Sequence, residues 1–227
     1  RSLRRDDSRR KAPYWGILAK IYRNLWALNQ ADKYYRLYLK LSMQENNVLQ
    51  VGYGHMGLGL NYYQQGDQEK ALDSTEKALS IFESMGNESL RFAAKLNIAC
   101  IYNAMSRHDL SLKVLQSVLA GNLPVDSAIL CKTYQELAKT HLRLGAIDGF
   151  FQARERAGDY AVQSKSLVEM GRVTMLDAEW FWSQGQNKKA IQSLRKAIMI
   201  FRNHGAAVEL RPAEKLLMTW VKGGDSE

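Results

Sequence analysis

Apolar, small and aromatic residues recur along this chain in a fixed order. The pattern is clearest in residues 52–87, GYGHMGLGLNYYQQGDQEKALDSTEKALSIFESMGN. There Leu58, Gly59 and Tyr62 precede a Gly66-Asp67 turn, and Ala71, Thr75 and Ala78 follow at helical spacing. Aligning on the turn brings out further copies. These are Ile98, Ala99, Tyr102, Ser111, Leu115 and Val118; Leu137, Ala138, His141, Phe150, Arg154 and Ala157; and Asp177, Ala178, Phe181, Ala190, Leu194 and Ala197. A weaker first copy reads Ile21, Tyr22, Leu25, Tyr34, Tyr38 and Leu41. Small residues let two helices approach, and the large residues beside them fill the space between. The pattern therefore predicts a helix pair per copy.

Copies begin near residues 15, 52, 92, 131 and 171, giving repeats over 15–51, 52–91, 92–130, 131–170 and 171–206. The extra length of each copy falls after its second helix, in stretches such as SIFESMGNESLR, so second helices are expected to exceed first helices by about a turn. Asp177 breaks the apolar pattern, and the adjacent Leu176 suggests a one-residue slip. A capping helix is expected over 212–222. Pro212 suits its first turn, Ala213, Leu216, Leu217, Trp220 and Val221 form one apolar stripe, and Gly223-Gly224 stops it.

This unit resembles the tetratricopeptide repeat superfamily, and about 200 residues fall under the resemblance. The 40-residue spacing is similar to that of bacterial signal-transduction regulators, including MalT-like activators and the sensor domains of diguanylate cyclases. The resemblance implies an all-α fold: a right-handed α-α superhelix of five helix pairs plus the cap, spanning residues 14–227. It implies a concave groove lined by fixed first-helix positions. These are Arg23 and Trp26; Tyr53, Met56, Leu60, Tyr63 and Gln64; Leu96, Cys100 and Asn103; Lys132, Gln135, Lys139 and Arg143; and Arg172, Met175, Glu179 and Trp182. The N-terminal half would offer adaptable apolar surface. The C-terminal half would set four cations against one carboxylate, suited to an acidic segment or a free carboxylate. The carboxylate clamp of chaperone-binding members is missing, since Met56 and Leu60 stand at its first two positions.

Composition adds limits. The formal net charge is +9 over 227 residues. Residues 1–11 hold six Arg or Lys against two Asp, so residues 1–13 read as a basic arm or linker that could touch nucleic acid or anionic lipid. No apolar run is long enough to span a membrane and no secretory leader is visible. Cys100 and Cys131 stand in apolar helical contexts, as expected of thiols in the reducing cytoplasm. The missing initiator Met suggests a piece of a longer protein.

Little in the chain points to chemistry. Gly52, Gly54 and Gly57 spell the dinucleotide fingerprint without the strand it needs. His55, His108, His141 and His204 have no metal-ligand spacing, and His141 fills an aromatic slot of the repeat. The expected role is thus a non-catalytic module without cofactor, binding a protein or peptide segment in the groove, within a bacterial signalling protein. Its rival is a small-molecule-sensing and oligomerisation domain of a transcription regulator, which would self-associate.

Overall fold

A computed structural model describes residues 12–121 and 126–224. Among them are eleven helices and no strand: α1 (Ala12–Asn24), α2 (Leu28–Gln44), α3 (Val48–Gln65), α4 (Gln68–Ser84), α5 (Glu88–Ala104), α6 (His108–Leu119), α7 (Ser127–Arg143), α8 (Ile147–Gln163), α9 (Leu167–Ser183), α10 (Asn187–Asn203) and α11 (Ala207–Gly224). Residues 1–123, with α1–α6, and residues 124–227, with α7–α11, are two compact units. The basic segment 1–11 lies outside the described residues, and Ala12 and Pro13 open α1. None of the described helices is long and apolar enough to cross a membrane.

A helix recurs every twenty residues, so a helix pair occupies about forty. Helices start at residues 28, 48, 68, 88 and 108, then at 127, 147, 167, 187 and 207. Each turn holds one residue with positive φ: Trp26, Asn46, Gly66, Gly86 and Ser106, then Gly145, Lys165, Gly185 and Gly205. At Gly66 (φ 84°) the Gly66 amide donates to the Tyr63 carbonyl at 3.1 Å and the Asp67 amide to the Tyr62 carbonyl at 3.0 Å. These bonds close the helix end and reverse the chain. The same two bonds recur in the turns centred on Trp26, Asn46, Gly86, Ser106, Gly145, Gly185 and Gly205. The next residue often starts the following helix. Asn47, Asp67 and Asn87 side chains accept from the amides of Gln50, Lys70 and Leu90 at 3.1, 3.2 and 3.0 Å.

Three expectations need correction. Second helices are no longer than first ones: α4, α5, α9 and α10 each have 17 residues. Residues such as Glu88 to Arg91 belong to the next first helix, capped by Asn87. The weak first copy is misregistered by three residues. Ile21 and Leu25 are exposed (48% and 66%), whereas Ala19, Ala31, Tyr35 and Tyr38 are buried at the slots of Gly59, Ala71, Thr75 and Ala78. Finally, α11 begins at Ala207 and carries Pro212 inside it, where the ring leaves the Val208 carbonyl without its helical amide.

The close approach expected of the small residues is present. A Cβ on Gly57 would meet the Tyr35 ring at 2.2 Å, and one on Gly52 the Phe82 ring at 2.5 Å. In the first unit Ala19, Ala31, Tyr35, Leu58, Tyr62, Ala71 and Ile101 form one core cluster, and Ala78, Phe82 and Ala94 another. In the second unit Ala178, Leu194, Phe201, Ala213 and Trp220 are joined by the half-buried Leu216 and Leu217, whereas Val221 of the expected stripe is exposed.

Candidate functional site

The first unit encloses an open cavity of about 650 Å³ between α1, α2 and α3. Pro13, Gly16, Ile17, Lys20 and Arg23 of α1 form one wall, Tyr35 and Tyr38 of α2 the floor, and Tyr53, Met56, Gly57 and Leu60 of α3 the opposite wall. Small residues make room for it: Gly57 and Gly16 lie against the rings of Tyr35 and Tyr38. Tyr53 is held edge-on to Phe82, with ring centroids 5.9 Å apart. Burial pushes the Tyr38 hydroxyl up to about 12, with the neighbouring Tyr53 adding to the rise. Burial also raises Tyr35, against the opposing charge of Arg23. Arg23 Nη2 donates to Asn24 Oδ1 at 3.4 Å, while its Nε is buried with no hydrogen-bond partner.

Four expected groove residues, Arg23, Tyr53, Met56 and Leu60, therefore share one cavity. The other six of this unit, Trp26, Tyr63, Gln64, Leu96, Cys100 and Asn103, do not line it. Trp26 forms the left-handed turn after α1. Tyr63 is exposed (37%) near the end of α3, and Asn103 Oδ1 lies 3.3 Å from His108 Nδ1. Sequence reasoning missed the floor, Tyr35 and Tyr38, because the three-residue slip had shifted the first copy. Counting back forty residues from Thr75 and Ala78 would have found both.

In the second unit the expected imbalance of four cations against one carboxylate does not hold. Lys139 Nζ lies 2.8 Å from Glu136 Oε1, and Arg143 Nη2 lies 3.4 Å from Glu179 Oε2. Arg172 bridges Glu169, at 3.0 Å, and Glu209. Lys132 Nζ is 3.9 Å from Glu169 Oε1. Burial works against the Arg172 charge, yet Glu169 and Glu209 outweigh it and raise its pKa. The partners come from α7, α9 and α11, so each cation already faces an acid. Two more expected groove residues are structural. Gln135, 3% exposed, donates to Glu169 Oε2 at 3.0 Å and to the Glu169 carbonyl at 3.3 Å. Trp182 stacks on Trp220 of α11, centroids 4.5 Å apart and planes 2° apart.

Asp177 is in register after all. It sits in the slot of Leu58 and Ile98, and Arg154 sits in the slot of Thr75 and Leu115. The two pair through both guanidinium nitrogens at 2.8 and 2.6 Å. Two polar replacements at facing positions thus satisfy each other. A second cavity, of about 500 Å³, lies between α7 and α8, with His141, Glu155 and Asp159 among its lining. His141 has a buried Nδ1 without a hydrogen-bond partner, and burial lowers its pKa. Among the described residues no group of three His, Cys, Asp or Glu side chains is placed to hold a metal ion.

Tetratricopeptide repeat models match residues 52–84 and 181–204. No curated protein matches by sequence. Among solved structures, the chain is similar to aspartyl phosphate phosphatase F from Bacillus subtilis, with TM-score 0.66 and 13% identity over 93% of this chain and 60% of that one. A Rap protein complexed with Competence and Sporulation Factor matches with TM-score 0.68 and 13% identity over 94% of this chain and 64% of that one. A signal transduction ATPase with numerous domains, carrying a tetratricopeptide repeat sensor, from Pyrococcus horikoshii, matches with TM-score 0.62 and 17% identity over 94% of this chain and 37% of that one. The chain thus spans less than two thirds of these neighbours' lengths. Its helix pairs, its two matched repeats and these neighbours together show that the chain has the all-α, helical-repeat fold of the tetratricopeptide repeat superfamily.

Proposed function

We propose that this chain is a non-catalytic interaction module that binds a protein or peptide segment in the cavity between α1, α2 and α3. The observation that carries the proposal is the gathering of Arg23, Tyr53, Met56 and Leu60, together with Tyr35 and Tyr38, around one open cavity of about 650 Å³. Aromatic and Met side chains give large contact area and adapt to different occupants. The structural neighbour complexed with Competence and Sporulation Factor supports the same use of the fold. The neighbour with a repeat sensor in a signal transduction ATPase is in keeping with a regulatory part of a larger signalling protein. The paired cations of the second unit take no part in this reading.

The test is a photo-crosslinking benzoylphenylalanine at Tyr53, irradiated in lysate with and without Met56→Arg. Peptide adducts that disappear with Met56→Arg support the groove. Adducts that persist unchanged remove it. A cavity of this volume also lies within the range of small-molecule sites, which keeps a sensing domain of a transcription regulator as a second reading. A metabolite that raises the melting midpoint of the wild type, but not of Met56→Arg, would favour it.

A further inference from the structure

Resting on the peptide-binding reading, we infer that the cavity takes a large apolar side chain with a carboxylate beside it, the carboxylate meeting Arg23 and Lys20. Lys20 and Arg23 lie three residues apart on α1, on one face of the helix. Among the described residues of the lining they are the only charged side chains, and none is Asp or Glu. Neither has an ion pair among the described residues, whereas Lys132, Lys139, Arg143 and Arg172 of the second unit are all paired. Among the described residues, the groove cations of the second unit thus face acids, and Lys20 and Arg23 do not.

The cavity cannot supply the anion itself. Its buried phenols are pushed away from ionisation, Tyr38 to about 12, so they stay neutral near pH 7. They can still donate hydrogen bonds to an oxygen brought in by the occupant. The buried Arg23 Nε also lacks an acceptor, and a carboxylate can take two guanidinium hydrogens at once. Arg23 is half-buried and Lys20 exposed, which places one half-buried cation and one rim cation at the site. An unmodified peptide segment carries its negative charge near pH 7 as carboxylates, on Asp, Glu or the chain end. Met56 and Leu60 stand on the opposite wall, where the apolar part of the occupant would lie.

The experiment is affinity selection of a synthetic random hexapeptide library, made in free-acid, amidated and phosphorylated forms, read by mass spectrometry. Baits are the wild type, Arg23→Lys and the double variant Lys20→Gln/Arg23→Gln, with circular dichroism confirming that each is folded. Retained peptides should carry Asp, Glu or a free terminus next to a large apolar residue. The double variant should bind them about tenfold or more weakly, and Arg23→Lys should fall between. Enrichment in the amidated set assigns the carboxylate to an acidic side chain, and enrichment in the free-acid set alone assigns it to the chain end. Retention without acidic preference, equal retention by the double variant, or preference for phosphorylated members overturns the inference and leaves the peptide reading standing. If no peptide is retained, both fail.

Discussion

A methyl group on Gly59 would sit 2.3 Å from Thr75 Oγ1 and 3.2 Å from the Ala71 carbonyl oxygen. Ala gains about 1 kcal/mol of helix propensity over Gly, but here the clash is partly with backbone and relaxes poorly. Gly59→Ala should therefore destabilise by about 1–3 kcal/mol, read as a lower urea midpoint with unchanged slope. His141 makes a different residue-level prediction. Burial holds its folded pKa below the ordinary histidine value of about 6.5, so between the two values the unfolded chain binds more protons. The stability linked to it is complete above about pH 6.5 and is lost as pH falls toward the folded value. His141→Phe restores the ring type of the matching slots Tyr62, Tyr102 and Phe181. It should flatten the fall in urea midpoint between about pH 7.5 and 5.5. Part of the fall will persist, because burial lowers His55 in the same direction. The packing role of Gly59 was legible in the sequence because a small residue between large ones has one physical use in a helix pair. The environment of Arg23 was not, since burial of its Nε depends on how α1 sits against α2.

The turns show most plainly why some of the fold was hidden. Where a glycine takes the left-handed conformation, as at Gly66 and Gly185, the sequence marks the helix end. Asn46 does the same with the one other residue type such ends favour, and Trp26, Ser106 and Lys165 do it with side chains that no local rule flags. The twenty-residue period vanished for that reason, and the first copy slipped by three residues at Trp26. Charge pairing was hidden by distance along the chain: Arg143 meets Glu179, and Arg172 meets Glu209, across separate helices. A mutant cycle on α8 and α9 tests such pairing directly. Arg154→Leu and Asp177→Leu alone should each cost about 1–2 kcal/mol by stranding a half-buried charge. The double variant, with apolar residues as in the Leu58 and Leu115 slots, should recover most of the loss, giving a coupling of about 1 kcal/mol in denaturant titrations. Additive losses would show that the bidentate contact contributes nothing.

For the whole molecule, the main packing joins helices that follow one another or are separated by one. Stability in such an array is close to a sum over neighbours. Gly59→Ala should therefore speed amide exchange in α3, α4 and the helices next to them, and leave α9 and α10 near wild-type rates. Uniform acceleration across all helices would instead reveal one cooperative block. The repeat of a helix and a short turn also bears on how the chain acquires its structure during synthesis. Each helix finds its packing partner within roughly forty residues of chain, so loop-closure costs stay small and pairing can follow translation helix by helix. A ribosome releasing α4 has already supplied α3, and the apolar face of a new helix waits only as long as its neighbour takes to emerge.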